Sequence, residues 1–331
     1  MKNIAFTICS NNYLAQAKVL SDSVFKFSRE FYDFYIVLCD EYSEKIDYSE
    51  FHANFVLAKD LKIDNFDWMT RYYNIIELNT AIKPFAFKHL IEEYSPEYIH
   101  YLDPDTCTYC PLSILEEELG EDSILLTPHS LAPLPFDGKI PTDNIFLNHG
   151  IYNLGFLGLR VSDDSLGMLN WWGDFLRTHC LDRVEKGFFV DQLPMELVPI
   201  YFHDATKVSF HRGINMAYWN LHERQLKYED GSYIVNDTFP LVLFHFSNYK
   251  VGNSEIISRY YTRMSMEDLP TIKKIYLDYA SELKKTEMEL YRSIECVYTK
   301  SRNSVLRKSA QTVFSKLAGF TNVIYQKVIR L

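Results

Sequence analysis

The strongest constraint on the fold is an alternation of strand-like and helix-like segments near the N-terminus. Residues 2–9 form an apolar run, and a helical pattern of apolar residues covers residues 14–27. Two further strands are predicted at Tyr32–Leu38 and Asn54–Ala58. A strand, a helix and a strand in that order form a βαβ unit, which predicts an α/β fold. Because ligands of such sheets bind beyond the carboxyl ends of the strands, polar residues there are the first candidates for a functional site.

The buried run at residues 98–102 stops abruptly on two carboxylates, Asp103 and Asp105, with a proline between them. Side chains at i and i+2 of an extended chain point the same way, so both carboxylates can reach one divalent cation. Hard oxygen ligands suit magnesium or manganese, which keep open positions for phosphate oxygens. The motif predicts a metal–diphosphate site, and the alternative is a pair of solvated turn residues.

The first predicted strand carries the candidates for nucleotide contact. Thr7 lies within it, and Ser10 and Asn11 follow its end. The glycine-rich dinucleotide fingerprint and the P-loop are both absent from the sequence. A nucleotide bound here is therefore expected to be held by a metal ion and side chains.

Three other segments carry polar residues that each have two interpretations. Lys83 stands beside a proline break in a helical stretch at residues 67–93, where it suits either phosphate contact or a solvated helix face. Asp191 and Gln192 begin a short helix, where an aspartate is also a common N-cap. His245 lies among aromatic residues near the end of a strand, where a histidine is commonly a core residue.

The middle of the chain continues the α/β pattern. Strands are predicted at residues 123–128, 150–159 and 241–247, and an amphipathic helix is predicted at 165–179. Glycines in the strand at 150–159 permit close approach of a ligand or another backbone. The proline-rich residues 129–148 predict an irregular loop, long enough to be a lid or an acceptor-binding loop.

Charge and hydropathy argue against several classes of protein. The 331-residue chain has a net charge of −10, which argues against nucleic-acid binding. No apolar run reaches the length of a membrane-spanning helix, and the N-terminal run is too short for a signal peptide. A cytoplasmic location is therefore expected.

Segments spread along the chain, in order, resemble bacterial nucleotide-sugar glycosyltransferases of the GT-A fold. They are NTAIKPFAFKHL (79–90), YLDPDT (101–106), YNLGFLGL (152–159), a tryptophan pair (171–172), GFFVDQ (187–192), NMAYWNLHER (215–224) and FHFSNYK (244–250). The chain is similar to the retaining galactosyl- and glucosyltransferases of family 8, and to transferases of surface-polysaccharide clusters. The resemblance implies a Rossmann-like mixed sheet flanked by helices. It also implies transfer of a sugar from a nucleoside diphosphate, expected to be UDP, to a glycan or lipid-linked acceptor.

The resemblance assigns metal and donor contacts to individual residues. Asp103 and Asp105 match the pair that binds Mn²⁺ or Mg²⁺, and His245 matches a third metal ligand. Lys83 matches a basic residue near the donor, and Asn153 matches an asparagine close to the donor sugar. These assignments imply a three-ligand metal site for the diphosphate of a sugar nucleotide.

Further assignments concern the reacting carbon and the diphosphate. Asp191 and Gln192 match a pair beside the anomeric carbon, which implies that they stabilise an oxocarbenium-like transition state, with retention of configuration expected. Lys250 matches a lysine that contacts the diphosphate. After Ser247 the relatives usually carry glycine, whereas this chain has Asn248, and this departure puts the diphosphate contact there in question.

Two other functions fit parts of the pattern. A catalytically silent member of the same fold would bind a nucleotide sugar or a glycan without turnover. A nucleotidyltransferase would share the sheet and the metal, but the missing glycine-rich loop counts against it. The retained acidic and histidine residues favour the glycosyltransferase.

The C-terminal region, 262–331, is predicted to be helical and to follow a catalytic domain at residues 1–261. A helix is expected over residues 266–300. From residue 306 apolar residues recur at spacings of three and four, with basic residues between them. This pattern predicts that residues 300–331 dock on an anionic membrane surface; a partner helix, a dimer helix or packing on the protein's own body are the alternatives.

Overall fold

The chain folds around a seven-stranded sheet. The structure is a computed structural model, and it describes residues 2–252 and 256–298. The strands are β1 (Asn3–Cys9), β2 (Tyr32–Leu38), β3 (Asn54–Leu57), β4 (Tyr98–Leu102), β5 (Thr106–Thr108), β6 (Ile124–Leu126), β7 (Phe156–Arg160), β8 (Asp182–Arg183), β9 (Phe188–Phe189), β10 (Thr206–Val208), β11 (Leu226–Glu229), β12 (Ser232–Val235), β13 (Phe239–Pro240) and β14 (Leu243–His245). The α-helices are α1 (Leu14–Ser28), α2 (Phe66–Tyr72), α3 (Ile75–Ala81), α4 (Lys83–Tyr94), α5 (Ser113–Leu119), α6 (Asp143–His149), α7 (Asp163–His179), α8 (Val198–Tyr201), α9 (Pro270–Lys285) and α10 (Met288–Arg292).

The central sheet has the strand order β10-β6-β7-β4-β1-β2-β3. Its pairs are parallel except those of β7, which is antiparallel to β4 and to β6. The predicted α/β architecture with a mixed sheet is therefore confirmed. Cys9 pairs with Leu38 where β1 and β2 end, so Ser10 and Asp40 lie at the same edge of the sheet. Parallel pairing of β1 with β4 brings Asp103 to that edge as well.

Helices cover both faces of the sheet. Along β1, Ala5 and Cys9 enter one hydrophobic core together with residues of α1 and α9. Phe6 and Ile8 enter a second core, which contains residues of α4 and α7, including the fully buried Trp172. Burial on both faces is typical of a central parallel strand, and it holds the polar edge in a fixed position.

Two predicted boundaries in the first half of the chain need correction. The helical stretch predicted at 67–93 is three helices. Asn74 begins α3 with a capping box to Glu77, and Pro84 takes one of the first two positions of α4, where its missing N–H leaves no bond unmade. The loop predicted at 129–148 contains a helix, α6.

The strand predicted at 150–159 begins only at Phe156. Gly150 has a φ of +108°, and the amide of Leu154 donates to the side chain of Gln192 in place of a neighbouring strand. The carbonyl of Gly155 then accepts from the Asp103 amide. Residues 150–155 therefore form a loop at the edge of the sheet.

The described C-terminal residues pack into the core that contains α1. Thr286 has an extended backbone after α9, so the continuous helix predicted for residues 266–300 is wrong, and α10 is a separate short helix. The helix predicted from residue 306 to 331 lies outside the described residues. Within the part of the chain that the structure describes, no helix has both the length and the apolar character needed to cross a bilayer.

Candidate active site

A tight turn between β4 and β5 presents the two carboxylates. The amide and the hydroxyl of Thr106 both donate to the Asp103 carbonyl, at 3.0 and 2.7 Å, and they close the turn across the intervening proline. β5 then pairs antiparallel with β14, with Thr106 opposite His245. The amide of Phe246 donates to the Asp105 carbonyl at 2.8 Å. Backbone pairing therefore brings His245 to the carboxylates from a point 140 residues along the chain.

Asp103, Asp105 and His245 form a group that fits a divalent cation. One ligand atom from each residue lies within 4.8 Å of the others. His245 Nε2 is 3.1 Å from Asp105 Oδ1 and 3.7 Å from Asp103 Oδ2. Burial opposes protonation of the imidazole, but the two carboxylates outweigh it and raise the pKa of His245. Two carboxylate oxygens and one imidazole nitrogen suit Mn²⁺ or Mg²⁺, and the pocket favours positive charge.

Two unusual backbone positions support this group. A Cβ at Gly155 would lie 2.5 Å from His245 Cε1, so a larger residue would displace the imidazole. Asn248 has a φ of +61°, a left-handed conformation that asparagine adopts more readily than most residues. The backbone turn that follows Ser247 is therefore formed without glycine.

Lys83 and Asp191 form a buried ion pair beside Asp103. Lys83 Nζ is 2.7 Å from Asp191 Oδ2 and 3.6 Å from Asp103 Oδ1, and it donates to the Leu154 carbonyl at 2.8 Å. It also lies 4.2 Å from the centre of the Tyr101 ring. Lys83 and Asp191 are each only 2% exposed, so a solvated helix lysine is the wrong interpretation.

The charges of this pair depend on each other. Burial would lower the pKa of Lys83, but Asp191 and Asp103 outweigh it and raise that pKa. Burial raises the pKa of Asp191, against the opposing effect of the Lys83 ammonium. Asp191 also caps no helix, because Gln192 occupies the N-cap position of the short helical turn and makes no side-chain cap bond. The N-cap interpretation of Asp191 is therefore wrong.

A strained residue, Val190, aims Asp191 into the site. It has a φ of +37°, which is rare for a β-branched side chain. Its amide donates to the Leu181 carbonyl, and Trp172 Nε1 donates to the Asp191 carbonyl at 3.1 Å, so bonds on both sides hold the turn. No sequence pattern indicated this conformation.

Asn153 and Gln192 lie next to the ion pair and bond to each other. Gln192 Oε1 accepts from the Leu154 amide at 3.1 Å and from Asn153 Nδ2 at 3.4 Å. Gln192 Nε2 donates to the His149 carbonyl at the end of α6, at 2.7 Å. The Leu154 carbonyl accepts from Lys83, and the Leu154 amide donates to Gln192. Leu154 therefore links the ion pair to the Asn153–Gln192 pair.

Of the other predicted donor-binding residues, some lie at the site and others do not. Ser10 lines a cleft beside the carboxylates. The side-chain amide of Asn11 is hydrogen-bonded within the protein: Nδ2 donates to Asp40 at 2.9 Å, and Oδ1 accepts from the Tyr48 hydroxyl at 2.7 Å. Thr7 is fully buried inside β1. Lys250 is exposed, and the described structure gives its side chain no polar contact with the site.

The cleft beside the carboxylates has a volume of about 320 Å³. Its walls come from the ends of β1 and β4 and from α3, including Tyr13, Asn79 and Thr80. The Tyr13 hydroxyl is 3.5 Å from Asp105 Oδ2. Tyr13 was not among the predicted residues, and its position directly after the polar end of β1 is the signal that could have found it.

The loop between β6 and α6, which contains Phe136 and Asp137, is held in place by Arg263. Arg263 donates to both carboxylate oxygens of Asp137 at 2.9 and 2.8 Å, and to the carbonyl of Pro141 at 2.6 Å. Phe136 is fully exposed on this loop, while Leu134 packs in a small core with Trp219. The Trp219 ring is edge-on to His245, with centroids 5.2 Å apart, so the loop is packed through one aromatic residue onto the candidate metal site.

Comparison with known proteins adds several similarities. No protein-family model matches the chain. It is 26% identical over 180 residues to an uncharacterized protein, YfnF, of Bacillus subtilis; the match covers 54% of this chain and 58% of that relative.

Similar solved structures include the galactosyltransferase LgtC with donor and acceptor sugar analogues (14% identity, 87% of this chain and 98% of that chain, TM-score 0.48). They also include the glycosyltransferase GlyE of Streptococcus pneumoniae (15%, 88% and 62%, TM-score 0.46) and mouse xyloside xylosyltransferase 1 (13%, 74% and 97%, TM-score 0.46). Likeness at this level assigns no activity to this chain, so the site geometry carries the functional argument.

Proposed function

We propose that this protein is a metal-dependent glycosyltransferase. It moves a sugar from a nucleoside diphosphate donor, UDP in our proposal, to a hydroxyl group of a surface glycan or a lipid-linked acceptor. One observation carries the proposal: Asp103 belongs to the candidate metal group and also lies 3.6 Å from Lys83 of the buried Lys83–Asp191 pair. A site for diphosphate charge therefore adjoins a buried carboxylate and amide, Asp191 and Gln192.

On the diphosphate side, Asp103, Asp105 and His245 would hold Mn²⁺ or Mg²⁺. A bound divalent ion neutralises negative charge that develops on a diphosphate leaving group. Lys83 adds a buried positive charge next to Asp103. Lys250, which is exposed, is proposed to contact the diphosphate when the donor binds. The cleft lined by Ser10 and Tyr13 is the proposed place of the nucleotide, with Thr7 and Asn11 supporting its wall.

On the sugar side, Asp191, Gln192 and Asn153 face the reacting carbon in this proposal. The sugar becomes oxocarbenium-like as the bond to the phosphate oxygen breaks, and carboxylate and amide oxygens stabilise the positive charge that develops. With retention of configuration, the departing phosphate oxygen accepts the proton of the acceptor hydroxyl while the new glycosidic bond forms on the same face. No separate general base is then needed.

For the acceptor we propose the loop held by Arg263. Exposed aromatic rings stack on the apolar faces of sugars, and Phe136 is offered by a loop whose bonds to Arg263 fix it in place. We also retain the proposal that residues 300–331 dock on an anionic membrane surface, because their basic amphipathic pattern suits that location and a lipid-linked acceptor.

The experiment is a thermal-shift panel of UDP, GDP, CMP and their sugars, each with and without Mn²⁺, followed by a donor-hydrolysis assay on any sugar nucleotide that binds. We expect a stabilising shift that requires both a uridine nucleotide and Mn²⁺, and slow release of UDP. No metal-dependent shift with any nucleotide would overturn the proposal. Binding of a sugar nucleotide without hydrolysis or transfer would support the catalytically silent alternative.

A further inference from the structure

We propose that His129 is a positioning residue of the transfer site, which holds the side chains of Asn153 and Gln192 in their working orientation. This inference rests on the proposed function and names a residue that the sequence motifs did not mark. His129 lies beyond β6, is buried, and forms hydrogen bonds with Ile151 and Asn153. Its effect would pass through hydrogen bonds to Asn153.

The hydrogen bonds of His129 define which ring nitrogen carries the proton. Nδ1 is 3.2 Å from the carbonyl oxygen of Ile151, which can only accept a hydrogen bond. The proton therefore lies on Nδ1, and Nε2 is left as an acceptor, 3.1 Å from Nδ2 of Asn153. Burial lowers the pKa of His129 to about 4, so the imidazole is neutral at physiological pH.

A neutral acceptor at Nε2 fixes the amide of Asn153. Its Nδ2 faces His129 and Gln192 Oε1, and its Oδ1 accepts from the Gly155 amide at 3.1 Å and from Asn215 Nδ2 at 2.9 Å. A flipped amide would place oxygen against two acceptors and nitrogen against two donors. The observed orientation is the one in which every contact pairs a donor with an acceptor.

The same bonds propagate to Gln192. Asn153 Nδ2 and the Leu154 amide both point at Gln192 Oε1, while Gln192 Nε2 is held by the His149 carbonyl. The carbonyl and amino ends of the Gln192 side chain are thus set by neighbours. Loss of the His129 acceptor would leave one Asn153 Nδ2–H without its buried partner, and this would weaken the restraint that Asn153 places on the oxygen of Gln192.

Ring packing shows why a histidine, and not a smaller acceptor, occupies this place. The His129 ring stacks on Phe146 of α6, with centroids 5.1 Å apart and planes 13° apart. It also lies edge-on to Trp219 at 5.2 Å, and Trp219 in turn packs on His245. His129 therefore fills a specific ring-shaped space and supplies an acceptor at its far nitrogen.

The test separates the acceptor from the ring. His129→Phe keeps the ring and removes the acceptor, whereas His129→Gln returns an acceptor near the place of Nε2. His222→Phe is the matched control, because His222 bonds to Ser130 and the Ala132 carbonyl and not to Asn153. For each variant we would measure kcat for transfer or donor hydrolysis, and the Kd for UDP with Mn²⁺.

We expect His129→Phe to lower kcat at least tenfold while the Kd for UDP with Mn²⁺ changes less than about threefold, because misplacement of a reacting group costs rate more than binding. His129→Gln should recover much of the rate, and His222→Phe should stay near wild type. Wild-type kcat in His129→Phe, or an equal loss in His129→Phe and His222→Phe, would overturn the proposal.

Two further arms keep the outcome decisive. If His129→Phe does not fold, Asn215→Gly removes the donor to Asn153 while suiting the local φ of +56°, and it should show the same selective loss of kcat; normal kcat would count against the network. If the wild-type protein has no turnover, the proposed function fails by itself. The hydrogen-bond network is then tested by the NMR signal of the Asn153 side-chain amide, which should shift in His129→Phe. An unchanged signal would contradict the network.

Discussion

The two halves of the candidate site are held in place by different means. The metal half, with Asp103, Asp105 and His245, is brought together by backbone pairing, and its two carboxylates are partly exposed. The proposed sugar half, with Lys83 and Asp191 at its centre, is buried, and its two charges form an ion pair with each other.

This difference predicts two kinds of response to substitution. Ligands in the metal half can be removed with little loss of fold, because the turn that carries them is maintained by main-chain bonds. Groups in the sugar half support both stability and chemistry, because each one neutralises or hydrogen-bonds another buried group. The predictions below test this contrast, from the largest expected effect to the smallest.

Replacing Lys83 should have the largest effect. Lys83→Met leaves the Asp191 carboxylate buried without its cation, which costs about 3–5 kcal/mol in the free energy of unfolding. Burial raises the pKa of Asp191 above its ordinary value, and loss of the ammonium raises it further. A carboxyl group with a raised pKa in the folded state favours folding at low pH, so the defect should shrink as the pH falls and grow as it rises.

Urea unfolding at several pH values measures this effect. Lys88→Met, on the same helix, is the control and should change the free energy of unfolding by less than about 0.5 kcal/mol. The double variant Lys83→Met with Asp191→Asn should recover part of the loss, since no charge is then buried. Equal, pH-independent losses in Lys83→Met and Lys88→Met would refute the distinctive role of the ion pair.

Replacing a candidate metal ligand should affect function and spare the fold. Asp103→Asn, Asp105→Asn and His245→Ala should each lower Mn²⁺-dependent donor turnover roughly 100-fold, because a divalent ion stabilises several kcal/mol of leaving-group charge. The free energy of unfolding without metal should change by about 1 kcal/mol or less for either aspartate. Asp204→Asn, at an exposed residue, is the control. A variant that keeps full metal dependence would remove that residue from the ligand set.

Adding a methyl group at Gly155 should couple the two halves. The new Cβ would lie 2.5 Å from His245 Cε1 and 2.8 Å from Asn153 Oδ1, so both side chains would have to move. We expect Gly155→Ala to cost about 1–3 kcal/mol in the free energy of unfolding and to weaken Mn²⁺ binding. Gly187→Ala, where the structure leaves open space, is the control for loss of a glycine, although its φ of +76° adds a backbone cost. Unchanged Mn²⁺ affinity in Gly155→Ala would contradict this coupling.

The exposed Phe136 should give the smallest effect on the protein and a selective one on the acceptor. Phe136→Ala removes no buried contact, so the free energy of unfolding and donor hydrolysis should stay near wild type. The KM for the acceptor should rise about fivefold if the ring stacks on a sugar, since aromatic contacts of this kind contribute about 1 kcal/mol. Phe31→Ala, at another exposed phenylalanine, is the control. An unchanged acceptor KM would remove the loop from the acceptor site.

Particular residues show what the sequence could predict. The strand-ending pattern at Asp103 and Asp105 was readable because strand and turn signals are local. His245 and Lys83 were ambiguous from local pattern alone, and a resemblance over many segments was needed to connect them. Pairing of β5 with β14 supplies the physical reason, since sheet pairing joins residues far apart in sequence.

Other features depend on tertiary packing and carry no local signal. The left-handed Val190 is a β-branched residue that propensity places in extended structure, and only bonds to its neighbours explain its conformation. The proposed role of His129 depends on its hydrogen bond with the side-chain amide of Asn153, which lies 24 residues away in sequence. The division of the predicted helix at 67–93 was also missed, although Asn74 and Glu77 carry a capping-box pattern that could have indicated it.

The most direct test of the central claim is anomalous diffraction at the manganese edge from crystals grown with Mn²⁺ and UDP. The account predicts one strong peak within bonding distance of Asp103, Asp105 and His245, with diphosphate oxygens completing the coordination and Lys83 still paired with Asp191. A peak elsewhere, or no ordered manganese beside bound UDP, would contradict a three-ligand metal site joined to the buried ion pair.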